Sequence, residues 1–198
     1  MQTINQSGRS MIEMLGVLAI IGVLTAGGLT IVGKARHQQE LTQLLSETAE
    51  IVSSIKKMAC DYDDGYASYV NMLCQSNGQP NGTTCTISGK DSYITTSSDA
   101  KVKAIPDPAT LTTEGVNYFD VEISEISKDA CVYLASSDWG RRNTNGFLGA
   151  YSDASGKPSS ASPNDEPIDP VLALSYCAEE DGVIKKPLHL LFLACQKN

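Results

Sequence analysis

Histidine and tryptophan are scarce in this chain, two and one among 198 residues. Phenylalanine stops at three, and aromatics together make 6%. Two histidines and no Cys-x-x-Cys pair leave little for a zinc site or a thioredoxin-like redox site. Basic side chains are also short, 15 Lys and Arg against 23 Asp and Glu, for a net charge of −8. A phosphate-binding face needs a surplus of Lys and Arg, so direct nucleic-acid binding is not expected. The chain has no Gly-x-Ser-x-Gly, no phosphate-binding glycine loop and no metal-spaced histidines. No catalytic residue, cofactor or metal is therefore assigned, and no enzyme is expected. His37 and His189 are read as structural. The apolar share, 41%, is too high and too well punctuated for a disordered chain. The length suits one domain, or one domain plus an extension.

Charge is missing altogether from Met14 to Gly33. As a helix, about 20 residues at ~1.5 Å each span ~30 Å, the hydrocarbon thickness of a bilayer. Lys34 and Arg36 end the run. A cleaved secretory signal would have a basic start, a shorter apolar core and a small-residue cleavage site after it. The first eight residues hold no Lys or Arg, and no clean Ala-x-Ala follows the run. A retained membrane helix is expected. Glu13 stands at its mouth, after Met11 and Ile12. A lone carboxylate at membrane depth costs about 2.5–3.5 kcal/mol on insertion scales, and such residues mark function.

The run Gly8-Arg9-Ser10-Met11-Ile12-Glu13-Met14-Leu15, followed by Val17-Leu18-Ala19-Ile20-Ile21-Gly22-Val23-Leu24, resembles the N-terminus of type IV pilins and type II secretion pseudopilins. The resemblance implies cleavage after Gly8 by a dedicated prepilin peptidase, methylation of the new amine on Arg9, and Glu13 as fifth residue of the mature chain. It also implies assembly with identical subunits through an inner-membrane platform. A carboxylate buried among apolar helices seeks a cation, and the freed amine of an adjacent subunit is one, so the pair can enforce register. Glu13 is thus expected to act in assembly. Arg9 stands where the family usually has Phe or another apolar residue. Its charge favours a cytoplasmic N-terminus, but Lys34 and Arg36 oppose that orientation. Of the five glycines in the segment, Gly27-Gly28 is the expected point of loosening as helices pack.

Beyond Lys34 the pattern turns amphipathic. Leu41, Leu44, Leu45, Thr48, Ile51, Val52, Ile55 and Met58 fall at three- and four-residue steps, with Gln, Glu, Ser and Lys expected opposite. No Pro or Gly lies between Lys34 and Met58, so one continuous helix is expected, ended by Asp61-Tyr62-Asp63-Asp64-Gly65.

From Cys60 the chain reads as short strands between polar turns. The expected strands are Thr84–Ser88, Ser92–Thr96, Val116–Ile123, Phe147–Tyr151, Val171–Ser175 and Leu188–Ala194, with a short helix over Asp129–Leu134. Gln75–Thr84 and Ser152–Pro170 read as loops. The expected fold is α+β and pilin-like: a long N-terminal helix, membrane half then amphipathic half, packed on an antiparallel sheet. The expected divisions are a leader 1–8, a polymerisation half 9–33, an amphipathic half 34–59 and a globular head 60–198.

Six cysteines, Cys60, Cys74, Cys85, Cys131, Cys177 and Cys195, all follow the membrane segment, as in an oxidising compartment. Sequence leaves their pairing open. The resemblance points to Cys131–Cys195 closing a large C-terminal loop; Cys74–Cys85 would close a short polar loop, leaving Cys60–Cys177. The acidic groups Asp61, Asp63, Asp64 and Asp165, Glu166, Asp169 read as solvated turns rather than calcium sites. The expected product is a subunit of a type IVb-like pilus, an inner-membrane precursor and then an extracellular filament for adhesion, aggregation or conjugative contact. Two rival readings stand beside it: a pseudopilin of a type II secretion system, and a membrane-anchored periplasmic binding domain that never polymerises.

Overall fold

The computed structural model describes residues 7–61, 69–106, 116–140, 146–151, 169–177, 184 and 186–196. Within these, the side chains at 7–10, 12, 26–30, 59–61, 90, 106, 116–118, 151, 176 and 194–196 are not described. Helix α1 spans Ser7–Asp61. The chain divides into two compact units, Met1–Glu40 and Leu41–Asn198.

In the second unit the elements follow α1 in the order α2 (Tyr69–Gln75), β1 (Thr84–Thr86), a 3-10 turn (Gly89–Asp91), β2 (Tyr93–Thr95), β3 (Lys101–Pro106), β4 (Val116–Ser124), α3 (Lys128–Ser136), β5 (Phe147–Tyr151), α4 (Pro170–Tyr176) and β6 (Leu188–Gln196). The six strands form one antiparallel sheet in the order β1-β2-β3-β4-β6-β5. The last strand is thus inserted between β4 and β5. This is the expected α+β arrangement, a long helix and an antiparallel sheet sharing one core.

Period fixes which side chains enter that core. Alternation along β3, β4 and β6 turns Val102, Ala104, Phe119, Val121, Ile123, Leu188, Leu190 and Phe192 inward. The helical stripe of α1 supplies Leu41, Leu44, Ile51, Val52 and Ile55 to the same cluster, with Leu45 and Met58 partly buried beside it, and Thr48 on the stripe is fully buried. The chain's three phenylalanines and its one tryptophan gather here. Phe192 stacks on Phe119 at 5.4 Å, lies 5.4 Å from Phe147 and meets Trp139 edge-on at 6.0 Å. At Gly146 two strands approach so closely that a Cβ would sit 2.8 Å from the Leu193 carbonyl oxygen; its φ of +71° is also one that glycine tolerates best.

Four departures from expectation have physical reasons. Val171–Ser175 is not a strand: it lies in α4. Asp169 caps that helix, its carboxylate accepting from the Val171 N–H at 2.7 Å, and Pro170 occupies the first turn. Both are helix-start signals, and they outweigh the strand-like run that follows. Strand β3 and helix α2 were not expected. In β3 two lysines, Lys101 and Lys103, face outward and mask the buried alternation of Val102 and Ala104. In α2 the buried set is Tyr69, Val70, Leu73 and Cys74, one face of two short turns.

The third departure is disulfide pairing. Cys74 does join Cys85. Cys131, however, joins Cys177, so the expected Cys131–Cys195 and Cys60–Cys177 bridges are both replaced. The helical α4 packs on α3, which brings Cys131 on α3 beside Cys177 at the end of α4, Cα atoms 5.8 Å apart. Cys195 instead lies near the end of β6, in register with Asn117 of β4. The Cys60 and Cys195 side chains lie outside the described residues.

The fourth departure is Glu47. It was expected on the solvent face of α1, yet it is only 6% exposed. Its carboxylate accepts from the Ser97 N–H at 2.9 Å, the Ser97 hydroxyl at 2.6 Å and the Gln43 amide at 2.9 Å. Ser97 sits in the β2–β3 turn, so the carboxylate ties the helix to that turn. Glu47→Ala should cost about 2 kcal/mol, since hydrogen bonds to a charged group are stronger than neutral ones. Glu47→Gln should cost less, because one carbonyl acceptor remains. Guanidinium unfolding followed through Trp139 gives both values. A loss with alanine no greater than that of Ser53→Ala would show that the three bonds add nothing.

Candidate functional site

The first unit holds the residues that the sequence singled out. Along α1, Met11, Met14, Leu15, Val17, Leu18, Ile20, Ile21, Val23, Leu24, Ile31 and Val32 are between 50% and 75% exposed. Monomeric proteins rarely leave so continuous an apolar surface to water, and such surfaces mark contacts with protein or lipid. Glu13 is exposed in the middle of its first turns. Thr25, a polar residue inside the stretch, satisfies its hydroxyl by donating to the Ile21 carbonyl at 2.6 Å and the Gly22 carbonyl at 3.1 Å. A Cβ added at Gly16, Gly22 or Gly33 would meet nothing within 4 Å. Within a single chain those positions have no steric need for glycine. Helix–helix approach in lipid does favour small residues.

The backbone at Gly8 and Arg9 lies in α1, but their side chains are outside the described residues. The helix runs unbroken through Gly27 and Gly28. Among the described residues, no helix is long and apolar enough to cross a membrane. The side chains at 26–30 fall inside the expected span of Met14–Gly33. Residues 13–25, described before that gap, reach about 20 Å at ~1.5 Å per residue, short of a bilayer.

His189 Nδ1 lies 2.7 Å from the Asp120 carboxylate, on the sheet face turned away from α1, and both side chains are largely buried. His37 is half-buried on α1. Lys101 pairs with Glu125 at 2.6 Å, and that hydrogen bond, more than the nearby charges, holds its ammonium pKa above the usual lysine value. A cleft of about 220 Å³ lies between α1 and the Asp138-Trp139 segment, floored by Val52, Trp139 and Phe192, with Lys56 and Asp138 at its rim. It is smaller than the ~300–1,000 Å³ typical of ligand pockets. Among the described residues no three His, Cys, Asp or Glu side chains converge to hold a metal. Asp169 serves as a helix cap. The other residues of the two acidic groups, Asp61, Asp63, Asp64, Asp165 and Glu166, lie outside the described side chains. Sequence reasoning missed Glu47, although it sits three residues after Leu44 and four before Ile51, on the buried stripe itself.

A long N-terminal helix and a six-stranded antiparallel sheet define an α+β fold. Among solved structures, the chain is similar to a crystal structure of a type IVb pilin from Salmonella typhi, at 19% identity and TM-score 0.49, covering 78% of this chain and 97% of that one. It is also similar to an NMR structure of the type IVb pilin PilS from Salmonella typhi, at 16% identity and TM-score 0.46, covering 77% and 94%. No protein-family model and no curated protein matches the sequence.

Proposed function

We propose that the chain is a structural subunit of a type IV pilus, made as an inner-membrane precursor, cut after Gly8 and assembled through the N-terminal half of α1 into an extracellular filament. The observation that carries this reading is the uncovered apolar length of α1 with a carboxylate at its start. In the precursor that surface faces lipid. In the filament it faces the same helix of neighbouring copies, so one stretch serves both states. Glu13 then pairs with the methylated amine of Arg9 on an adjacent subunit. The prepilin peptidase and the assembly platform are the partners before polymerisation. The sulfur bridges suit an exported head, since disulfides persist in oxidising compartments.

Intact mass and N-terminal sequencing of the protein taken from its native envelope test the reading. A chain that begins at Arg9 and is heavier by one methyl group is the expected result. A chain that retains residues 1–8 would sink the processing step and leave a non-polymerising anchored domain as the better account.

A further inference from the structure

Between α2 and β1 lie two Asn-Gly dipeptides, Asn77-Gly78 and Asn81-Gly82, in a stretch from Gln75 to Thr84 that carries no charged side chain. In such a dipeptide the asparagine side-chain carbonyl carbon lies within reach of the following backbone nitrogen, and no Cβ on the glycine obstructs the approach. Ring closure needs that nitrogen free of a hydrogen bond, the side chain free to swing, and water at hand. All four residues are exposed, and the two dipeptides differ in the first of these conditions.

Asn77-Gly78 terminates α2 in a Schellman motif. Asn77 takes the left-handed conformation, φ +52°, and its N–H donates to the Cys74 carbonyl at 3.3 Å. The Gly78 N–H donates to the Leu73 carbonyl at 3.0 Å. The attacking nitrogen is therefore committed. Asn81-Gly82 forms the tip of a turn closed by the Thr83 N–H donating to the Pro80 carbonyl at 3.3 Å. Both tip residues are exposed. Gly82 has φ +85°, a Cβ there would meet nothing within 4 Å, and among the described residues no acceptor takes its N–H.

We propose that Asn81 is a site of spontaneous modification, at which the exported head acquires a negative charge through a succinimide. Hydroxide removes the Gly82 amide proton and the nitrogen attacks Cγ of Asn81. The N–Cγ bond forms, the Cγ–Nδ2 bond breaks, and Nδ2 leaves as ammonia with a proton from water. Water then opens the five-membered ring at either carbonyl, giving aspartate or isoaspartate; nothing is oxidised or reduced. The Cys74–Cys85 bridge spans the loop, so the longer isoaspartyl backbone stays clasped to α2 and β1. An uncharged surface loop thereby becomes anionic with age.

The test is to hold the full chain, disulfides intact, in warm, mildly alkaline buffer and to follow each asparagine by peptide mass spectrometry. Enzymatic methylation of isoaspartate gives a second readout. Asn81 should convert roughly tenfold faster than Asn77, about the factor that freeing one backbone hydrogen bond costs. In the reduced chain unfolded in guanidinium the two rates should converge. An acidic shift on isoelectric focusing should accompany conversion and be much reduced in Asn81→Gln. Equal rates in the folded chain would overturn the proposal. So would a folded chain unchanged at Asn81 over a time in which the unfolded chain converts.

Discussion

Phe192→Ala should destabilise the head by about 4 kcal/mol, the largest stability loss expected of any single truncation in this core. Phe192 is 1% exposed and faces three other rings, Phe119, Phe147 and Trp139. Truncation removes the transfer free energy of the ring and leaves a cavity between β4, β5 and the indole that rigid strands cannot close. Aromatic pairs add about 0.5–1.5 kcal/mol each beyond their area, and Phe192 makes three. A domain of this size has only ~5–15 kcal/mol in total, so the variant stands near its threshold. Phe192→Leu keeps most of the volume and should lose about 2 kcal/mol. Ile105→Ala, on a side chain 38% exposed, should stay within ~0.5 kcal/mol. Guanidinium unfolding under non-reducing conditions orders the three. A Phe192→Ala loss no larger than that of Ile105→Ala would mean that the ring cluster is not the centre of the core.

That cluster also marks how much could be read from sequence. Phe147 and Phe192 fell within expected strands, and Phe119 within a third, because alternation is local and survives in a single chain. The stripe from Leu41 to Met58 was legible for the same reason. Lys101 and Lys103 hid β3, since the outward residues are conspicuous and the inward ones are only Val102 and Ala104. Val171 to Ser175 looked like a strand by composition, and the capping chemistry of Asp169-Pro170 decided otherwise. The expected Cys131–Cys195 pairing came from the resemblance, and it failed because α4, packed on α3, delivers Cys177 to Cys131. Glu47 was hidden by its charge, because its burial depends on Ser97, fifty residues away. The exposed apolar run was the most legible stretch, since an uncharged segment with one carboxylate is visible without any fold.

Glu13→Ala should leave a processed, membrane-extractable subunit with a folded head and should reduce sheared filaments about a hundredfold. In the isolated chain Glu13 is exposed, among aliphatic side chains that are more than half exposed themselves. In the proposed filament those aliphatics are covered, and the carboxylate goes in with them. Breaking a buried ion pair costs about 3–5 kcal/mol, because one charge is left desolvated. On the proposed pairing, the charge left behind with alanine is the neighbour's amine, and each subunit added to the filament repeats that cost. Glu13→Gln fills the same space and offers hydrogen bonds but no charge, so it should fall between alanine and wild type. Filament yield by electron microscopy, read beside N-terminal sequence, separates the steps. Accumulation of uncut alanine variant would place Glu13 in processing. Normal filaments from a cut alanine variant would remove the pairing altogether, and the apolar surface alone would then have to set the register.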